Sequence, residues 1–352
     1  MKTLDRHLGR TVLTSMLAVL LVVVSLNSLF GFIAELRGMQ AHYQVPQVLC
    51  YMLLTLPRHI YTIIPVTALI GCLVGLGRLA GAGELVAMRA AGVSLLRISW
   101  AVMKPGLLLV VLGLVLGELV VPDAEQVAVT YRKTARSDNG VYTGEGLWHR
   151  EGNDFMYFNA VRPDGILRGV SIFRFDDSDQ LYESLFAEQA AQQGDHWILE
   201  NVRISRWRDD TVEATRLPST LWHTRLDPAL LKVAQVRPDS LSVHGLFTYI
   251  RYLDSQGLDA APYRLAFYKG LLQPLAIFSL LLIGVSFIVG PLRTAPVGQR
   301  LFVGIITGMV FMIAQDLLAP FSLVLGFSPL MAVAAPVCCC FLLGGILLRR
   351  AG

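Results

Sequence analysis

Residues 12–33 read VLTSMLAVLLVVVSLNSLFGFI. The run carries no charge, and only Thr14, Ser15, Ser25, Asn27 and Ser28 interrupt its apolar character. Crossing about 30 Å of hydrocarbon takes roughly 20 apolar residues in a helix. The stretch is long enough for that. It is too long for the apolar region of a signal peptide and lacks a small-x-small cleavage site, so a retained membrane helix is expected. Five further stretches qualify on the same ground: about 60–79, 105–121, 271–289, 301–318 and 329–348.

Charge is distributed as this reading requires. Of 352 residues, 54% are hydrophobic and 16% charged, with a mean hydropathy of +0.55. A soluble domain is nearer one quarter charged. Residues 123–259 hold 21 acids and 15 Lys/Arg, a net of −6. The remainder holds five acids (Asp5, Glu35, Glu84, Glu118, Asp316) and 15 Lys/Arg, a net of +10. A nearly acid-free membrane part therefore surrounds an acidic soluble insertion. The basic excess sits at membrane edges and does not point to nucleic acid.

Lys and Arg also orient the spans. With the N-terminus inside, the cytoplasmic side carries Lys2, Arg6, Arg10, Arg78, Arg89, Arg97, Lys104, Arg293, Arg300, Arg349 and Arg350. The opposite short loops carry Arg37 and Arg58. Both termini are expected in the cytoplasm, with the insertion after the third span on the far side.

Within the insertion, Phe155-Met156-Tyr157-Phe158 and Val170-Ser171-Ile172-Phe173-Arg174-Phe175 are rich in strand formers. Turn clusters separate such runs: Gly152-Asn153-Asp154, Pro163-Asp164-Gly165, Asp176-Asp177-Ser178-Asp179, Gly194-Asp195 and Asp209-Asp210. The pattern predicts a β sandwich, jelly roll or barrel standing in water, because an open sheet cannot satisfy its backbone in lipid. Residues 240–256 then read as a surface helix, with Ser242 as N-cap and Leu246, Ile250 and Leu253 on one face. Three parts are expected: spans one to three at 1–121 with a cytoplasmic helix near 81–95, the β domain with its surface helix at 122–262, and spans four to six at 263–352.

The cytoplasmic helix follows span two. Glu84 opens it, where an acid suits the positive end of the helix dipole, and Gly92 is placed to end it. Leu85, Met88 and Arg89 are expected on an exposed face that a cytoplasmic motor would touch. The chain has no G-x-x-x-x-G-K-[ST], H-E-x-x-H, C-x-x-C or G-x-S-x-G motif. If ATP energises transport, another chain must bind it. Cys50, Cys72 and Cys338-Cys339-Cys340 lie in or beside apolar runs and imply no disulfide framework. Glu118 and Asp316 fall near span ends, and Asn27 within span one; each reads first as an inter-helix contact. Arg37, Arg132, Lys133 and Arg136 lie just beyond spans one and three, where cations meet lipid phosphates. Two classes remain open beside a transporter subunit: a membrane-anchored periplasmic scaffold or sensor, and a polytopic lipid-modifying enzyme, although the clustered His/Asp/Glu of the latter is not seen.

Several motifs in a shared order resemble the lipopolysaccharide-export permease family LptF/LptG. They are Leu4-Asp5-Arg6-His7-Leu8-Gly9; Gly83-Glu84-Leu85-Val86-Ala87-Met88-Arg89-Ala90-Ala91-Gly92; Gly117-Glu118 with Pro122 and Glu125-Gln126; and Gly146-Leu147-Trp148. Asp239-Ser240-Leu241-Ser242, Tyr249 with Tyr252-Leu253, Gly290-Pro291-Leu292-Arg293, and Gln315-Asp316 with Pro320 continue the series. The Gly290 and Gln315 segments are similar to LptG members more than to LptF members. The resemblance implies six membrane helices with an inserted periplasmic β-jellyroll domain in the bacterial inner membrane. It implies a permease that extracts lipopolysaccharide from the outer leaflet. The implied partners are a sister LptF permease, an LptB dimer that binds ATP and magnesium, LptC with its single membrane helix, and, indirectly, the LptA bridge. No cofactor is implied for this chain. Carried over, Glu84 with Leu85, Met88 and Arg89 meets the ATPase, and Arg132 and Arg136 contact lipid phosphates. Arg37 falls near a basic cluster in which Phe32 and Gly38 stand where lysines are expected. Leu26, Phe30 and Ile33 of span one, with Ile306, Val310, Phe311 and Ile313 of span five, line an acyl-chain cavity.

Overall fold

The computed structural model describes residues 2–39, 43–136, 146–161, 165–176, 178, 180–193, 196–208, 211–222, 224, 237–255, 257–290 and 295–351. The turn residues Pro163, Asp164, Asp177, Asp179, Gly194, Asp195, Asp209 and Asp210, and the segment Pro291-Leu292-Arg293, lie outside them. The chain opens with α1 (Lys2–Leu36), α2 (Val45–Gly81), the short α3 (Glu84–Ala90) and α4 (Leu95–Val115). A π-helical turn (Leu116–Val120) leads into α5 (Val121–Arg136). Strands β1 (Leu147–Glu151), β2 (Asp154–Val161), β3 (Leu167–Phe175), β4 (Leu181–Gln193), β5 (His196–Arg208) and β6 (Thr211–Trp222) follow. A 3-10 turn (Pro238–Ser240), α6 (Val243–Ser255), α7 (Ala261–Val289), α8 (Val297–Leu325) and α9 (Pro329–Ala351) complete it.

Six helices are long and apolar enough to cross a membrane, as expected. Two are central: 72% of the apolar window of α2 and 56% of that of α7 is buried. For α1 and α8 the shares are 6% and 17%, so these two sit at the periphery with most of their apolar surface uncovered. In lipid no hydrophobic force draws helices together, so small residues that permit close approach carry the packing. Gly71 and Gly75, one turn apart on α2, receive α1. A Cβ on Gly71 would lie 2.4 Å from Met16 Cα, and one on Gly75 2.9 Å from Val12 Cα. Gly304 and Gly308 on α8 receive α2 in the same way, with added Cβ atoms 2.4 Å from Leu73 Cδ1 and 2.6 Å from Val66 Cγ1.

The third span differs from its expected extent. It runs without a break from α4 through the π turn into α5, so position 122 falls inside a helix. Pro122 lacks an N–H and crowds the preceding turn. The π turn directly before it, in which Val121 N–H reaches back to Leu116 O, takes up the misfit.

The inserted β domain is a six-stranded antiparallel sheet in the order β1-β2-β3-β4-β5-β6. Neighbours in sequence are neighbours in space; the Greek-key crossovers of a strict jelly roll do not occur among the described strands. One transverse row bends the sheet. Arg168 pairs Gln189 and Val170 pairs Ala187, which sets Gly169 opposite Glu188; Asn201 and Pro218 continue the row. Gly169 has φ +61° and Asn201 φ +53°. The parity of the buried positions changes across it, from Leu167 to Val170 and Ile172, and from Trp197 and Leu199 to Val202 and Ile204. The two halves thus close on one core that includes Met156, Phe158, Trp197 and Trp222. On the same face, one row beyond Met156, Ile172, Leu185 and Ile204, an ion chain crosses the strands and closes that end of the core: Arg174 donates to Asp154 (3.3 Å) and Glu183 (2.6 Å), and Arg206 donates to Glu183 (2.5 Å).

The surface helix forms where expected, with Tyr249 buried in its inner face and Ile250 only half-buried. Ser242 Oγ accepts from Gly245 N–H at 3.0 Å, and Leu246, Tyr249 and Leu253 are buried. Glu118 in the π turn accepts from Val243 N–H at 2.9 Å, placing a carboxylate at the positive end of α6. Its role among the described contacts is thus to tie the third span to the surface helix.

Candidate functional site

Two regions at opposite ends of the bundle gather the predicted residues, with exposed apolar helices between them. At the end that holds both termini, α3 is bounded by glycines in left-handed conformations: Gly83 at φ +75° and Gly92 at φ +80°. Val93 N–H bonds Met88 O and Gly92 N–H bonds Arg89 O, both at 3.0 Å, the paired closure of a Schellman motif. The expected exposed face needs correction. Leu85 and Met88 are buried, 8% and 7% exposed, in the same core as Leu8, Leu95 and Ile98. Seven residues of helix cannot hold themselves in place, and these two side chains anchor α3 to the bundle. The face turned outward is Val86, Ala87, Arg89 and Ala90.

Glu84 is half-buried, and its Oε2 lies 3.0 Å from His7 Nε2 of α1. On the adjoining turn, Arg97 Nε donates to Asp5 Oδ1 at 3.4 Å. The first turns of α1 thus hold both α3 and α4.

At the sheet end the cations are already engaged. Arg132 Nη2 donates to Glu35 Oε2 at 3.0 Å, and Arg136 Nη2 to Glu35 Oε1 at 2.8 Å. Tyr43 Oη donates to Glu35 Oε1 at 3.1 Å, and burial beside that carboxylate pushes the phenol well above its usual range. Arg132 stacks 5.0 Å over Tyr51 and Arg136 4.8 Å over Tyr43. The structure therefore draws Arg132 and Arg136 together around one acid. Arg37 is exposed, and the side chain of Lys133 lies outside the described residues. Gly38 has a local reason to be bare: a Cβ there would stand 2.7 Å from Arg136 Nη2. Glu35, Tyr43, Tyr51 and His7 received no role from the sequence. Glu35 carried a usable signal, being one of only five acids outside 123–259.

Leu26, Phe30 and Ile33 on α1 are 50%, 68% and 44% exposed; Ile306, Val310 and Ile313 on α8 are 44%, 61% and 45%. Phe311 is the exception. At 5% exposure it packs into the bundle core, because it faces α2 where Gly308 brings the two helices together. Among the described residues no group of three or more His, Cys, Asp or Glu is arranged to hold a metal ion.

A family model described as "Lipopolysaccharide export system permease LptF/LptG" matches residues 6–350. The chain is 36% identical over 352 residues to the lipopolysaccharide export system permease protein LptG of Escherichia coli K12, covering 99% of this chain and 98% of that protein. It is 34% identical to the LptG protein of Haemophilus influenzae, over 95% of this chain and 94% of that one. With the six apolar helices and the inserted sheet, these likenesses make it a multi-pass inner-membrane protein. The chain belongs to the LptF/LptG family of lipopolysaccharide export permeases.

Proposed function

We propose that the chain forms one wall of an ATP-driven exporter that lifts lipopolysaccharide out of the outer leaflet of the inner membrane and passes it toward a periplasmic bridge. One observation carries the coupling: the short helix at the terminal end is fastened by Leu85 and Met88 into the membrane core. A push on its outer face, Val86, Ala87, Arg89 and Ala90, is delivered to α1 and α4 rather than absorbed by a loose loop. The motor is a separate cytoplasmic ATPase dimer of the LptB kind, which holds the ATP and magnesium. Glu84, rimming that face, is the contact that fixes its docking.

The uncovered stripes on α1 and α8 suit acyl chains, whose burial is worth about 0.8 kcal/mol per CH₂. A sister LptF permease would close the other side of the cavity, with LptC as the next element toward LptA. The Lys/Arg bias supports cytoplasmic termini and a periplasmic sheet. The Arg132–Arg136–Glu35 cluster carries a net positive charge for lipid phosphate, with exposed Arg37 beside span one.

The test is Glu84→Arg in the full complex. ATPase recovered with the permease and lipopolysaccharide export should both fall, while the amount of folded permease stays level. Normal assembly with normal export in that variant would remove Glu84 from the coupling role.

A further inference from the structure

Beneath the 3-10 turn and α6, between α2, α7 and α8, lies a cavity of about 300 Å³. Ligand pockets run from about 300 to 1,000 Å³, so it suits a small polar group. Its apolar floor includes Pro65, Val66, Ala276 and Phe311. Its polar lining bears both signs: Arg58 and Lys269 are cationic, Asp239 and Asp316 anionic. The exposed lining residues are Thr62, Asp239 and Asp316, so the cavity opens between α2 and α8 and toward the 3-10 turn.

The polar groups divide into a fixed frame and an unfilled pair. In the frame, Arg58 Nη1 donates to Glu125 Oε1 at 3.1 Å and Gln273 Nε2 donates to Tyr61 O at 2.9 Å. Lys269 Nζ, in contrast, stands 3.7 Å from Asp316 Oδ1. That separation attracts but exceeds the roughly 2.7–3.2 Å of a hydrogen bond. An ammonium has three donors and a carboxylate several acceptor sites, so both retain capacity for a ligand. Beside the mouth, Val310, Ile313 and Leu317 of α8 form an exposed apolar stripe, 61%, 45% and 53% exposed. A polar head in the cavity would leave its chains on that stripe.

We propose that this cavity holds the headgroup of a zwitterionic glycerophospholipid, an ammonium-bearing phosphodiester of the phosphoethanolamine type. Lys269 and Arg58 face its phosphate, Asp316 and Asp239 its ammonium, and its chains run along α8. A lipid with phosphate alone satisfies the cations and leaves two carboxylates opposed to its charge, which is the basis of discrimination. The headgroup assignment stands on the cavity alone; the chains share Val310 and Ile313 with the stripe that the export reading gives to acyl chains.

The full chain, purified in detergent, is equilibrated with phosphatidylethanolamine or phosphatidylglycerol of identical chains, and retained lipid is counted by native mass spectrometry. One phosphatidylethanolamine should be retained in preference to phosphatidylglycerol. Asp316→Asn, a surface change, should lower its retention about tenfold, as loss of one charge-assisted bond implies, and should narrow the preference between the two lipids. Thr62→Trp, which plugs the mouth, should lower retention of both. Equal retention of the two lipids by the native chain would overturn the assignment, as would retention unmoved by both variants. A third arm adds lipopolysaccharide. If it displaces phosphatidylethanolamine with the same sensitivity to Asp316→Asn and Thr62→Trp, the cavity belongs to the substrate's route and the phospholipid assignment falls.

Discussion

Replacing Gly71 by Ala tests how the bundle is held. A methyl group there would meet Met16 Cα at 2.4 Å, Met16 Cγ at 2.8 Å and Met16 N at 2.9 Å. Ordinary carbon contacts lie near 3.5–4.0 Å. Two of those neighbours are backbone atoms, so no rotamer change relieves the clash, and α1 must move outward by about 1 Å. Overpacking of this kind costs about 1–3 kcal/mol. Helix propensity returns up to about 1 kcal/mol for Gly→Ala, giving a net loss of about 1–2 kcal/mol. At Gly75 the nearest backbone atom is Val12 Cα at 2.9 Å, so Gly75→Ala should cost less. At Gly81 nothing lies within 4 Å, and Gly81→Ala should leave stability unchanged or raise it. Thermal unfolding in detergent, followed by tryptophan fluorescence, should rank the three in that order. A Gly71→Ala chain as stable as the Gly81→Ala chain would refute backbone contact as the basis of α1 packing.

Glu35→Gln leaves two guanidinium groups about one acceptor. Breaking a fully buried pair costs about 3–5 kcal/mol, but these arginines are about a third exposed, so a loss of about 1–2 kcal/mol is expected, smaller at high salt. Denaturation at two ionic strengths measures it. His149, stacked at 6.5 Å on Tyr252 between β1 and α6, has its pKa lowered, mainly by burial. Its folded-state pKa lies below the unfolded value of about 6.5. Stability from neutral His149 is therefore complete above that pH and is lost as pH falls through it. Unfolding from about pH 7.5 to 5 should show this slope, and His149→Phe should flatten it. Asp154, raised mainly by burial, acts with the opposite sign in a more acidic window. Gly169→Ala places a side chain at φ +61° with its Cβ 2.3 Å from Asn159 Nδ2. A loss of about 1–2 kcal/mol is expected from the left-handed backbone alone. Adding Asn159→Ala removes the Nδ2 and Cγ contacts but keeps Cβ at 2.9 Å, so only part of the clash should be relieved, whereas Asn159→Gly should leave the backbone cost alone, as urea melts would show.

The membrane part was legible because length and apolarity suffice to name a span, and Glu84 and Gly92 announce the two ends of α3. Ser242 and the Leu246/Leu253 spacing placed α6 for the same local reason. What stayed hidden depended on a second element. Leu85 and Met88 read as exposed because a seven-residue helix shows no periodicity that says which side meets the bundle. Arg132 and Arg136 read as waiting for phosphate, because Glu35 and Tyr43 lie some ninety residues earlier in the chain. The extension of α4 past Pro122 was masked by proline, whose usual meaning is a boundary. The spacings Gly71/Gly75 and Gly304/Gly308 stood in the open, yet only the facing side chains show which helices they admit.

The third span, with its π turn and α5, contributes 21, 5 and 16 residues in succession, a rod of about 60 Å at about 1.5 Å per residue. The hydrocarbon it crosses is only about 30 Å thick. Its foot is gripped through Arg97 and its tip through Arg132 and Arg136, both by α1. A tilt of about 5° at the foot would swing the tip by about 5 Å, about one helical turn. Angular play too slight to notice at one face of the bilayer thus arrives at the other as a displacement comparable to a whole side chain, and α1, tied at both ends, has to travel with it.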